Sequence, residues 1–190
     1  MATTGPINVI AVSGSLRRDS FNTATLRACQ SLAPDDMTIE LFDPERLAEF
    51  PLFSEDRSAQ GLPEPVAELC DKIIAADGVL IANPEYHHSM SSVTKTMIDW
   101  VSRSPDKPFN QKPIAITGAS TGPMGGPWGQ YAVRTCFIPL EGLVLNRPEV
   151  FVKSSKTKFD ESGKLTDNAT AEELGAFLGA FAGWIRKVRG

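Results

Sequence analysis

The sequence predicts an α/β protein: a three-layer sandwich in which a five-stranded parallel sheet carries helices on both faces. Three observations lead there. Short apolar runs without charge recur along the chain, as strands buried on both faces require. Amphipathic stretches of helical period alternate with them. A length of 190 residues suits a single domain, 1–190, which buries about 70% of its unfolded surface and needs no metal or disulfide staple. Five strands and five helices fit the strand order 2-1-3-4-5, although periodicity alone does not establish it.

Residues 7–13 (INVIAVS) form the first strand, β-branched and uncharged. A polar turn follows, and residues 21–32 read as a helix with Asp19 or Ser20 as N-cap and Pro34 beyond its end. Residues 38–42 are the second strand. The prolines and mixed composition of residues 43–63 predict a long surface loop. A helix over 66–76 leads into a third buried strand, 79–82, which stops at Asn83-Pro84. Residues 92–102 are helical, 113–118 form the fourth strand, and 128–137 are helical again. A fifth strand starts at 143–145 and reappears at 150–152. Residues 154–168 read as a loop, and an amphipathic helix over 171–188 closes the chain.

Charge and cysteine content narrow the function classes. The net charge of −4 is mild and no block of five like charges occurs, which argues against a nucleic-acid face and against an acidic tail. The first basic residue is Arg17, and no apolar run approaches the roughly 20 residues of a membrane span. Cys29, Cys70 and Cys136 are widely spaced and form no C-x-x-C pair, so buried structural thiols are expected. Together these features predict a cytoplasmic protein without membrane or nucleic-acid partners.

In an open α/β sheet, ligands bind beyond the carboxyl ends of the strands where the winding reverses. The loops after strands one, three and four are the most unusual of the chain, and all three would open on that edge. Residues 13–22 hold Ser13, Ser15, Ser20 and Asn22 beside Arg17 and Arg18, directly before a helix N-terminus. Free N–H groups, the positive end of the helix dipole and an arginine suit a phosphate; the plain alternative is a capped helix start. Only Gly14 stands where a dinucleotide fingerprint needs three glycines, and no G-x-x-x-x-G-K-[ST] loop exists, so a monophosphate fits better. The second loop, residues 83–92, carries Glu85, Tyr86 and both histidines, His87 and His88. Adjacent loop side chains seldom converge on one ion, so no metal is expected there. The third loop, residues 118–126, contains Gly118, Gly122, Gly125 and Gly126 with Ser120 and Thr121, and its glycines permit close backbone approach to a flat ligand. A phosphate cradle beside a flat, backbone-lined slot describes a flavin mononucleotide site.

The run Ser13-Gly14-Ser15-Leu16-Arg17-Arg18-Asp19-Ser20-Phe21-Asn22 resembles the G-S-L-R-x-x-S-x-N phosphate loop of the NAD(P)H-dependent FMN reductases. The resemblance continues through Pro84-Glu85-Tyr86, Lys95, Ile98-Asp99-Trp100 and Gly125-Gly126, nearest the branch of bacterial quinone and chromate reductases. It implies a flavodoxin-like fold with bound FMN, reduced by NADPH or NADH. Hydride would pass to the flavin N5 and on to a quinone, free flavin or similar small-molecule acceptor in a ping-pong cycle. By the same resemblance Ser13, Ser15, Arg17, Ser20, Phe21 and Asn22 hold the phosphate. Pro84, Glu85, Tyr86 and His87 run along the isoalloxazine edge, with Tyr86 and His87 shaping the substrate site, and Ser120, Gly122 and Gly125 close the other side. No side chain is assigned as catalytic. Lys95 and Asp99, one helical turn apart, read as a structural pair.

The sequence departs from that branch at His87, where Asn is usual, at Ser91-Ser92 in place of Pro-Gly, and at Thr96 in place of Asn. These departures are expected to touch acceptor choice rather than FMN binding. Trp128, near the position of a basic residue in chromate-reducing members, argues against chromate. The branch implies a homodimer or homotetramer, with Trp100, Trp128 and Tyr131 available to an interface or to the core. The rival reading is a flavodoxin-type electron carrier without NAD(P)H oxidation, although carriers are usually far more acidic. A more distant rival is a phosphosugar- or nucleotide-binding module with no redox role.

Overall fold

The computed structural model describes residues 5–190; residues 1–4 of the expected domain lie outside the described residues. The chain runs β1 (Ile7–Ser13), α1 (Phe21–Leu32), β2 (Met37–Leu41), α2 (Pro44–Ala48), α3 (Glu55–Ser58), α4 (Glu64–Ala75) and β3 (Gly78–Ala82). It continues through α5 (Ser92–Val101), β4 (Pro113–Ala119), α6 (Pro127–Cys136), β5 (Leu143–Val144), β6 (Val150–Val152) and α7 (Asn168–Arg189). The sheet order is β2-β1-β3-β4-β5 with every pair parallel, which is the expected winding.

Two-residue alternation distributes the strand side chains between two cores. Ile7, Val9 and Ala11 of β1 face α1 and α7, with Leu80 and Ala82 of β3, Leu26, Phe177 and Phe181. Ile10 and Val12 face α4, α5 and α6, with Val79, Ile81, Leu69, Trp100 and Phe137. Each fully buried large side chain contributes about 1.5–3 kcal/mol, so the uncharged strands are what hold the helices to both faces. Trp100 is wholly buried, and its Nε1 donates to Pro51 O at 2.7 Å, so it belongs to the core and not to an interface.

Two expectations are corrected. Residues 43–63 are not a plain loop: they contain α2 and α3, capped by Asp43 and Ser54. Phe42 and Leu47 anchor the segment in the core, with Phe50 and Phe53 packed against it. Pro44 is a first-turn residue, where a missing N–H costs nothing. Proline acts the same way in α4 and α6, which begin at Glu64 and Pro127, earlier than the apolar pattern indicates. The fifth strand position is in two pieces, as expected: β5 pairs with the start of β4 and β6 with its end. Between them Pro148 has no N–H for the ladder. The gap is bridged by α6, where Gln130 Nε2 donates to Val150 O at 2.9 Å and Arg134 Nη1 to Leu145 O at 2.8 Å.

All three cysteines are free. Burial pushes the Cys29 thiol up to about 12 and Cys70 up to about 11, and raises Cys136 as well. Such thiols carry little thiolate at neutral pH, consistent with structural cysteines. Among the described residues no helix is long and apolar enough to cross a membrane.

Candidate functional site

Because β1, β3 and β4 are adjacent and parallel, their carboxyl ends lie on one edge of the sheet. The loops after them line one narrow cavity of about 120 Å³. Ser15, Arg17, Ser20, Phe21 and Asn22 come from the first loop and the start of α1. Pro84, Glu85 and Tyr86 come from the second, and Ala119, Ser120 and Thr121 from the third. The order β2-β1-β3 places this cavity where the winding reverses.

The first loop is held from behind. Ser13 is buried, its Oγ lying 2.8 Å from Thr23 Oγ1 and accepting from Ser15 N at 3.4 Å. Ser13 therefore shapes the loop and does not line the cavity. Ser20, not Asp19, is the N-cap, accepting from Thr23 N at 3.3 Å. The N–H groups of Phe21 and Asn22, in the first helical turn, have no intrahelical partner and are the donors an anion would use. Arg17 is exposed and lines the same cavity. Asn22 also ties two elements together, since its Nδ2 donates to Ala119 O at 3.1 Å while its Oδ1 accepts from Ala119 N at 2.9 Å. One amide thus joins the start of α1 to the end of β4.

The second loop is a miniature hairpin. Tyr86 and Ser89 exchange both backbone hydrogen bonds at 3.0 Å, and the two residues between them, His87 and His88, have φ of 50° and 59°. Two positive φ values make a type I′ turn, which ordinarily takes Asn or Gly. His87 is exposed at the tip and lies outside the cavity lining, whereas Tyr86 lines it and remains half exposed. Glu85 Oε2 accepts from Gly129 N at 2.8 Å in the first turn of α6, so its charge meets the positive end of that helix and fixes the second loop against it. His88 Nδ1 stands 3.8 Å from Glu85 Oε1. Among the described residues no group of three His, Cys, Asp or Glu side chains is placed to hold a metal.

The third loop rests on β6. Ser120 N donates to Val152 O, Ser155 N to Ser120 O and Ser154 N to Gly122 O, each at 3.0 Å. Ser120 Oγ also accepts from Gly122 N at 3.1 Å. Gly122 and Gly125 lie outside the cavity lining. Gly125, at φ 78°, passes so close to Phe151 that a Cβ would stand 2.8 Å from that side chain. The packing against Phe151 by itself requires glycine here. Thr121 lies within the third loop as expected, while the further lining residue Ala119 follows from where β4 ends, which composition alone does not mark.

The departures from the family pattern fall in two groups. Ser91 is buried and caps α5, so it lies behind the site and not at its mouth. Ser92 is exposed and Thr96 half-buried on the same helix. Lys95 Nζ sits 2.6 and 2.7 Å from the two Asp99 oxygens, the local pair expected. Larger grooves exist, such as one of about 430 Å³ between α1 and the start of α7, lined by Arg27, Leu32, Lys164 and Leu165. They lie away from the carboxyl ends of β1, β3 and β4, and volume alone does not define a site.

A doubly wound parallel sheet of order 2-1-3-4-5, with a donor-lined cavity at its winding reversal, defines a flavodoxin-like protein. Residues 7–157 match the NADPH-dependent FMN reductase family, and the chain belongs to that family. It is 42% identical over 184 residues to an NAD(P)H-dependent FMN reductase of Pseudomonas aeruginosa, covering 97% of this chain and 98% of that protein. It is 35% identical over 185 residues to a quinone reductase of Escherichia coli, covering 96% and 97%. A solved flavoenzyme, an NAD(P)H:(acceptor) oxidoreductase of Paracoccus denitrificans, superposes with a TM-score of 0.84 at 30% identity, covering 95% of this chain and 98% of that one. The chain is thus an NAD(P)H-dependent oxidoreductase of the FMN-using kind.

Proposed function

We propose that the protein takes electrons from NADH or NADPH through FMN held in this cavity and delivers them to a planar, quinone-like acceptor by a ping-pong cycle. The observation that carries the reading is the convergence of three loops, distant in sequence, on one cavity with anion donors at one end. The residues fit the cofactor's two halves. The unpaired N–H groups of Phe21 and Asn22, the Ser15 and Ser20 hydroxyls and Arg17 would hold the phosphate. Pro84, Glu85 and Tyr86 on one side and Ala119, Ser120 and Thr121 on the other would border the ring. The chemistry supplied by bound FMN is acceptance of hydride from a reduced nicotinamide and two-electron delivery to the acceptor.

The chain's own residues orient, shield and select. Loops one and three wall the cavity and Tyr86 flanks its mouth, so donor and acceptor would approach by the same side and take turns there. Leu16, Tyr86, Met124 and Trp128 are exposed on the loops and helix start at this edge. An apolar and aromatic rim favours a flat organic acceptor over an oxyanion such as chromate. Trp128 and Tyr131 also meet edge-on on α6 with ring centroids 6.3 Å apart, and Tyr131 meets Phe151 edge-on at 6.4 Å. This exposed aromatic row supports a homodimer or homotetramer.

Anaerobic stopped-flow absorbance on FMN-loaded protein tests the reading, with NADPH and NADH added separately and a benzoquinone afterwards. Fast bleaching by either donor and recovery with quinone are expected. Bound FMN that neither donor bleaches would instead mark an electron carrier.

A further inference from the structure

We infer that Ser91 and Thr94, at the start of α5, are positioning residues for the phosphate end of the site. Together they form a hydroxyl latch between the second loop and the first, and the inference rests on the flavin reading above. An ordinary N-cap serine uses only its acceptor side, and Ser91 does this, accepting from Thr94 N at 3.0 Å. Its hydroxyl also lies 2.7 Å from Gly14 O, 77 residues earlier, and 3.0 Å from Thr94 Oγ1. A hydroxyl has one hydrogen and two lone pairs. The Gly14 carbonyl can only accept, so Ser91 Oγ donates to it, with Thr94 Oγ1 a second acceptor within reach of the same hydrogen. Ser91 Oγ thus meets Gly14 O, Thr94 Oγ1 and Thr94 N at once, and it is buried.

Gly14 is thereby held on both of its backbone groups, since its N–H donates to Ala82 O at 2.8 Å. A Cβ at Gly14 would collide with the Thr94 hydroxyl, so glycine is needed for α5 to come this close. Ser91 N donates to Asn83 Oδ1 at 3.2 Å, and Asn83 N to Thr117 O at 3.0 Å. The chain of contacts therefore runs from β4 through Asn83 and Ser91 to Gly14, the residue before cavity-lining Ser15. Proline at position 91 has no side-chain donor, so the latch belongs to this sequence's departure from the family pattern. Its effect should fall on the phosphate loop and spare the ring-binding side.

The test compares FMN with riboflavin, which lacks the phosphate, by fluorescence titration of the apoprotein and of the variants Ser91→Ala, Thr94→Val and Thr94→Ser. One lost hydrogen bond corresponds to roughly a two- to tenfold change in affinity. Ser91→Ala should weaken FMN by about tenfold and Thr94→Val by a few-fold, with riboflavin affinity changed by less than about twofold in both. Thr94→Ser, which keeps the hydroxyl, should restore the wild-type ratio. Should Ser91→Ala fail to fold, Thr94→Val carries the test, because it leaves the Ser91 cap in place. Equal weakening of both flavins, or an unchanged ratio in Thr94→Val, overturns the latch while leaving the flavin reading standing. A wild-type protein that binds neither flavin overturns the flavin reading itself, and the latch with it.

Discussion

Replacing Asn22 should separate the role of its side chain in the scaffold from its place in the cavity. Its amide makes two buried hydrogen bonds, to the N–H and to the C=O of Ala119, at 2.9 and 3.1 Å. Asn22 and Ala119 are 4% and 5% exposed, so water does not replace what is removed. Asn22→Ala strands one buried donor and one buried acceptor at about 1–2 kcal/mol each, giving an expected loss of about 2–4 kcal/mol. Asn22→Asp is nearly isosteric but turns one carboxylate oxygen toward the Ala119 carbonyl. The first turn of α1 favours a negative charge by up to about 1 kcal/mol, less than the repulsion costs, so the variant should still be clearly destabilised at pH 7. Protonation restores a donor. The folded-state pKa of that introduced carboxyl is therefore raised, and the variant should regain stability relative to wild type as pH falls from 7 to 5. Urea denaturation at the two pH values measures this. A loss below about 1 kcal/mol for Asn22→Ala, or an Asn22→Asp protein as stable as wild type at pH 7, would refute the reasoning.

Arg17→Ala should weaken FMN about tenfold, the lower range for a charge-assisted hydrogen bond at an exposed site, and leave riboflavin affinity unchanged in the same titration. His88→Gly should stabilise the protein by about 0.5–1 kcal/mol in chemical denaturation, because glycine occupies the left-handed turn position without the Cβ penalty. Lys158, together with the hydroxyl and backbone N–H of Thr170, lowers the Asp167 carboxyl to about 2. A depressed folded-state pKa gives stability that is present above the ordinary carboxylate range near 4 and is lost as pH falls toward 2. Acid denaturation of wild type and Asp167→Asn should therefore converge between pH 4 and pH 2.

The parallel sheet, both layers of helices and the edge carrying the site were legible because each rests on local composition. An uncharged strand such as Val79-Leu80-Ile81 has to be covered on both faces, and covering helices force right-handed crossovers. The candidate phosphate loop drew notice for a local reason too, since hydroxyls, an arginine and a helix start coincide within ten residues. The helices that open on proline were misplaced, because the same residue that breaks a helix inside is welcome in its first turn.

Residues with no local signature had to wait for the tertiary structure. Asn22 reads as one more polar residue beside a phosphate until Ala119, 97 positions away, takes both of its hydrogen bonds. Nothing local shows that Gly125 packs on Phe151, and Ser91 looks like a departure at the site's mouth until its hydroxyl is seen to reach Gly14. Periodicity and composition describe what a segment must bury or cap, and this protein's sequence settled its layers and pointed to the edge of the candidate site, while the order of the strands came from the structure. Which polar atoms meet across loops depends on the packing of whole helices against the sheet. That division leaves the fold and the class of cofactor to the sequence, and the bonds that hold the site in shape to the tertiary structure alone.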